Sequence, residues 1–313
     1  MAEAGALIEA VLPPAAGPGD RVGVAALSGP VEPERLERGL AALRALGFEP
    51  VVADNLASRH GLFAGADGER LAAFHRLAAD RDLAAILFAR GGHGVLRLLP
   101  GIDWDLLARR PRAYVGYSDL TPLLLEMVRR LGRVAFHGPM VAVDLARGLL
   151  PDEEESLLGA LAGRYPAEVP LGTSLRLGEA SGPLLGGCLS LLTATQGTPF
   201  APDLSGAILF WEEINEPPYR VDRMLTHLRL SGSLTAIAGM IVGHLQGAGE
   251  PGPSRDGYET DGRGWPALVE QSVDGFDWPL AWDLPCGHRP PNWTLPLGLP
   301  AHLSSGRSSL TLG

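Results

Sequence analysis

Apolar positions along the 313-residue chain alternate between two patterns. Residues 21–27 (RVGVAAL) are a continuous apolar run of the kind buried in a parallel sheet, and Ser28-Gly29-Pro30 closes it in a turn. Residues 32–46 then carry Leu36, Leu40, Leu43 and Leu46 on one helical face, with Gly47 as the stop. A strand is predicted over 49–52, and a helix over 68–79 with Leu71, Phe74 and Leu77 on a face. Apolar strands follow at 83–88 and 113–117, and a helix runs on from Thr121. Strand and helix recur about every thirty residues, which predicts βαβ units and a mostly parallel sheet with its chemistry at the strand C-terminal ends. Beyond residue 149 the pattern changes. Residues 151–165 read as an acidic helix, and short β runs at 181–187, 207–211 and 236–242 follow among denser Gly and Pro. The expectation is an N-terminal α/β domain over 1–165, a linker over 166–177 and a β-rich domain over 178–313. The stretch 247–264 has almost no apolar content and reads as an exposed, mobile loop.

Length agrees with that division, since a chain above ~250 to 300 residues tends to split its core. A formal charge of −10 without any Arg/Lys cluster argues against nucleic acid or an anionic membrane as partner. Cys188 and Cys286 supply neither a disulfide framework nor metal-ligand spacing, which suits a reducing cytoplasm. The first twenty residues contain Glu3 and Glu9 and lack a basic region followed by an apolar core, so no signal peptide is expected. No apolar run approaches the ~18 to 20 residues of a membrane span.

Four stretches carry candidate chemistry. In 112–125 (RAYVGYSDLTPLLL) a β-prone run meets a tight Gly116-Tyr117-Ser118 corner before the helix opening Asp119-Leu120-Thr121-Pro122. Such a corner lifts the Ser118 hydroxyl onto a rim, beside helix-start amides able to receive an oxyanion. That is the logic of a nucleophile elbow, although Leu120 stands where its second Gly would be. The alternative is that Ser118 or Asp119 only caps the helix. The strand at 83–88 runs into Arg90-Gly91-Gly92-His93-Gly94, a loop whose backbone can approach a ligand, or a simple turn. It lacks the Lys and Ser/Thr of a phosphate loop. In 208–220 an apolar strand ends in Glu212, Glu213 and Glu216, and a Glu at a buried strand end needs an imidazole or guanidinium partner unless the loop is merely solvated. Lastly, Pro285-Cys286-Gly287-His288-Arg289-Pro290-Pro291 holds one His in a rigid turn.

Taken together, RGGHGVLRLLPGIDW, YVGYSDLTPLL, AFHGPM, GPLLGGCLSLLTATQGTPF, ILFWEEINEPPYRVDRMLTHLRLSG and PCGHRPPNWTLPLG, in that order, resemble the LD-carboxypeptidase family of serine peptidases. The resemblance implies an N-terminal doubly wound α/β domain and a C-terminal β-rich, swivelling-type domain, which between them carry a catalytic triad of Ser118, Glu212 and His288, with oxyanion donors at the backbone amides of Asp119 and Gly92. Gly91, His93, Arg220 and Trp211 are candidates for substrate contact, and the resemblance implies no metal or organic cofactor and a homodimer in the cytoplasm. The implied substrate is a murein tetrapeptide whose terminal D-Ala is released by cleavage of an L,D bond. His93 and Cys188 depart from the family's usual Tyr and Asn at those positions, and both are candidates for lining the substrate cleft. The alternatives are an immunity peptidase of the microcin C type, which would ask Trp211 or Trp293 to serve as a platform for a base, and a silent ligand-binding homologue.

Overall fold

The computed structural model describes residues 10–166, 168–246 and 264–313. The expectations about the first nine residues and about 247–263 therefore lie outside the described residues. Two compact units emerge: Ala10–Tyr165 with Pro291–Gly298, and Pro166–Pro290 with Leu299–Gly313.

The first unit runs β1 (Arg21–Ala25), α1 (Pro33–Ala45), β2 (Glu49–Val52), α2 (Asp67–Ala79), β3 (Leu83–Phe88), α3 (Trp104–Arg109), β4 (Ala113–Gly116), α4 (Thr121–Leu131), β5 (Ala135–His137) and α5 (Pro151–Leu161). The second continues with β6 (Glu168–Pro170), β7 (Ser174–Arg176), β8 (Glu179–Cys188), α6 (Leu189–Ala194), β9 (Ile208–Ile214), α7 (Pro218–Leu230), β10 (Gly239–Gln246), α8 (Gly264–Ser272) and β11 (Leu280–Trp282). Then β12 (Leu295–Leu297) returns to the first unit, and β13 (Pro300–Ser304) and β14 (Ser309–Leu312) complete the second.

In the first unit the strand order is β12-β5-β4-β3-β1-β2, parallel throughout except for the antiparallel β12. The chain winds from β1 to β2 on one side and then to β3 on the other. This puts a topological switch point between β1 and β3, where ligands of open α/β sheets gather. Ile86, Leu87 and Phe88 on β3 are wholly buried, which is why these strands read as unbroken apolar runs. Helix α4 departs from a one-faced pattern, because every residue from Thr121 to Val128 is buried. Its Glu126 is tolerated there because Arg129 and Arg130 bind it at 2.6 Å each. Gly132, at φ 57°, then ends the helix in the left-handed conformation.

The second sheet has the order β6-β14-β13-β8-β9-β10-β11-β7. Its centre, β8-β9-β10-β11, is parallel, and its margins are antiparallel. Residues 166–177, expected as a linker, contribute β6 and β7 to its two edges. Strands of three residues leave little local pattern, and their partners β14 and β11 are more than a hundred residues away in sequence. No helix among the described residues is long and apolar enough to cross a membrane.

Candidate active site

The first unit builds the proposed nucleophile corner. Strand β4 ends at Gly116, where a Cβ would stand 2.8 Å from the Phe88 ring, and Tyr117 remains extended. Ser118 then takes φ 62°, a left-handed conformation that a non-glycine residue adopts at a cost of order 1–3 kcal/mol. A short 3₁₀ turn, Ser118–Leu120, leads into α4. This is a strained strand-to-helix turn, the geometry that a nucleophile elbow would need, with the half-buried Ser118 at its apex. Leu120 occupies the second-glycine position without difficulty, since its side chain turns into the core.

The Gly-rich loop after β3 lies against this corner. A Cβ on Gly91 would be 2.9 Å from the Ser118 Cβ, 3.0 Å from its Oγ and 3.6 Å from the Asp119 nitrogen, so only glycine permits the approach. Gly92 (φ 127°) and Gly94 (φ 115°) make the loop's turns. Three bonds fix it. The Gly29 N–H donates to the Gly91 carbonyl at 3.2 Å, Arg90 Nε donates to the same oxygen at 3.1 Å, and the Val95 N–H donates to the Asp119 carboxylate at 3.1 Å. Asp119 is buried, and that burial raises its pKa. Its side chain therefore ties the loop to the corner, a role that residue type and position alone did not announce. Arg70, fully buried, adds a clamp by donating to the carbonyls of Leu27 and Gly94 and to Asp67. His93 projects at the exposed crest.

The second unit builds an acid–imidazole pair. Glu212 and Glu213 sit near the end of β9, and strand alternation turns them to opposite sides. Glu212 is fully buried, and its Oε2 lies 2.7 Å from His288 Nδ1. Carboxylate oxygen can only accept, so Nδ1 carries the proton and Nε2 is left as the basic nitrogen. The Glu212 side chain is approached by two glycine backbones, Gly287 at its carboxylate and Gly243 at its Cβ. A Cβ on Gly287 (φ 125°) would stand 2.9 Å from Glu212 Oε2, and one on Gly243 would stand 3.3 Å from the Glu212 Cβ. Glu213 faces the start of α6, where its carboxylate accepts from the N–H of Ser190 at 2.7 Å and that of Ile214 at 2.9 Å. Burial, reinforced by the neighbouring Glu212, raises its pKa. Cys188 is buried beside it with Sγ 3.5 Å from a Glu213 oxygen, and burial pushes that thiol well above its ordinary range.

The remaining expected site residues are placed as follows. Arg220 is exposed at the start of α7 and pairs with Glu216 at 3.0 Å. Trp211 is fully buried with its indole N–H directed at Met240 Sδ, a core side chain. Its flanking run Ile208–Phe210 is buried on both faces, and an aromatic within it shares that fate. Among the described residues, no three His, Cys, Asp or Glu side chains are grouped as a metal ion would require.

Residues 22–138 match the LD-carboxypeptidase N-terminal domain and residues 181–303 the LD-carboxypeptidase C-terminal domain. A probable murein peptide carboxypeptidase of Bacillus subtilis is 41% identical over 234 residues, covering 74% of this chain and 73% of the relative. A putative carboxypeptidase of Streptomyces coelicolor is 39% identical over 312 residues, covering 97% and 96%. The crystal structure of muramoyltetrapeptide carboxypeptidase from Oxalobacter formigenes superposes with a TM-score of 0.82 at 31% identity, over 93% of this chain and 97% of that one. With both halves matched in order across most of its length, this chain belongs to the LD-carboxypeptidase family of serine peptidases.

Proposed function

We propose that the protein hydrolyses the L,D-peptide bond before the terminal D-Ala of murein tetrapeptides, through an acyl-enzyme on Ser118. His288 Nε2 takes the proton from Ser118 as Oγ attacks the scissile carbonyl. Glu212 holds the imidazole in the tautomer that leaves Nε2 unprotonated and stabilises the imidazolium as it forms. The amides of Asp119 and Gly92 receive the negative oxygen. The imidazolium then gives its proton to the amino group of the departing D-Ala, and water, deprotonated by His288, releases the shortened peptide. Gly91, His93 and Arg220 remain candidates for substrate contact, whereas the core position of Trp211 removes it from that set. The same burial leaves a nucleotide-directed peptidase without Trp211 as its platform, while Trp293 is half-buried and spends its indole N–H on Asp152. Two buried free thiols, Cys188 and Cys286, suit cytoplasmic murein recycling, and the family habit suggests a homodimer.

The observation that carries this reading is the 2.7 Å bond from a fully buried Glu212 to His288 Nδ1. It is tested by release of D-Ala from purified murein tetrapeptide. Ser118→Ala should abolish turnover while circular dichroism and thermal unfolding stay near wild type, since a half-buried rim hydroxyl contributes little packing. A variant that keeps a near-wild-type rate would return Ser118 to helix capping.

A further inference from the structure

We infer that His244 is a positioning residue that holds the His288 turn by hydrogen bonds on both of its flanks. The inference rests on the triad reading above and extends it to a residue with no place in that triad. The ladder between β9 and β10 shifts register between Val242 and Leu245, which releases Gly243 and His244 from regular pairing with β9. Both residues face the 284–289 segment instead. Leu284 N–H donates to the Val242 carbonyl at 3.1 Å, and the His244 N–H donates to the Cys286 carbonyl at 2.9 Å. The His244 ring supplies a second contact, with Nδ1 3.0 Å from the Arg289 carbonyl. One buried residue thus binds the chain immediately before Gly287-His288 and immediately after it.

Chemistry fixes the state of that ring. A carbonyl oxygen only accepts, so His244 Nδ1 bears the hydrogen. Burial opposes a second proton, and the nearby Arg289 guanidinium opposes it further; together these outweigh the Arg289 carbonyl bond and the Asp283 and Glu212 carboxylates, which act in the other direction. A neutral, fixed donor results. Gly243 allows the strand to come this close, since a Cβ there would be 2.8 Å from Cys286 Sγ and 2.9 Å from the Cys286 carbonyl.

The turn needs such a brace because Gly287 has a conformational freedom no other residue would bring, and the Glu212 bond restrains only the His288 ring. Pinning the carbonyls of residues 286 and 289 fixes the backbone from which that ring projects. A misplacement of ~1 Å at a general base costs on the order of 100-fold in rate, so losing one brace should be visible in kcat.

The experiment compares His244→Ala, His244→Asn and His244→Gln in the D-Ala release assay, with Ser118→Ala and Glu212→Gln as controls. Asn carries its amide N–H where Nδ1 stands, whereas Gln places it where Nε2 would be. We expect His244→Ala to lower kcat roughly 10- to 100-fold with KM within about twofold, and His244→Asn to recover most of the loss while His244→Gln does not. If His244→Ala fails to fold, the contrast between Asn and Gln decides alone. A folded His244→Ala with wild-type kcat, or Asn and Gln variants equally impaired or equally active, would overturn the inference. Should Ser118→Ala or Glu212→Gln turn over normally in the same assay, the triad reading fails instead, and the two failures are thus distinguishable.

Discussion

Ser118 stands at φ 62°, and Gly91 is packed directly against it. The position tolerates no side chain, because the first atom of one would press on both Cβ and Oγ of the serine at about 3 Å. Gly91→Ala should therefore displace Oγ from its line of attack rather than unfold the unit. The expected outcome is a loss of about 100-fold in kcat together with an overpacking cost of ~1–3 kcal/mol in urea denaturation. Equal kcat in the variant would mean that loop and corner separate freely in solution. Asp119 supports the same geometry from the other side, since its carboxylate binds the Val95 N–H while its own amide belongs to the helix start. A residue chosen from the sequence for its backbone thus also acts through its side chain.

Strand β9 shows how much of the site was legible and where legibility stopped. Alternation alone separates Glu212 from Glu213, and the two carboxylates do face different partners, His288 and the start of α6. Likewise the strand-to-helix corner could be read locally, because a β run, a glycine corner and Pro122 in the first helical turn are neighbours in sequence. By contrast, β6, β7 and β12 are three residues each and pair across long stretches of chain, so their register depends on tertiary structure. His244 was equally silent, since a lone histidine after an apolar run has no spacing to mark it. The β9 assignment predicts that Glu212→Gln costs several orders of magnitude in kcat whereas Glu213→Gln costs little. Glu213 should appear in stability instead. Its folded pKa is raised, so the native state binds the proton more tightly than the unfolded chain between the ordinary carboxylate value of about 4 and the raised one. The stabilisation associated with that proton is full below the ordinary value and is lost as pH rises through the raised one. The Tm of wild type minus that of Glu213→Gln should accordingly fall as pH is raised from ~4 to ~7, and a flat difference would show that Glu213 is an ordinary carboxylate.

At the scale of the whole molecule, the first unit is not continuous in sequence. Its edge strand β12 comes from Pro291–Gly298, a segment that begins three residues after His288. That segment is bound by more than its ladder with β5. The fully buried Glu153 accepts the Asn292 N–H at 2.7 Å, Asp152 accepts the Trp293 indole N–H at 2.9 Å, and Ser156 Oγ accepts the Thr294 N–H at 3.0 Å. Leu295 and Leu297 are buried with it, and each such leucine contributes ~1.5–3 kcal/mol. A fragment ending at Tyr165 would lack all of this, leaving the edge of β5 unpaired and the Glu153 carboxylate without one of its donors. Joining residues 291–298 to that fragment through a short flexible linker should restore both. The expected result is that the 1–165 fragment aggregates or unfolds at low urea, whereas the joined version unfolds cooperatively with a midpoint nearer that of the intact protein. Equal stability of the two fragments would mean that β12 only decorates the sheet. It would also mean that the N-terminal half folds without the chain that follows the proposed catalytic histidine.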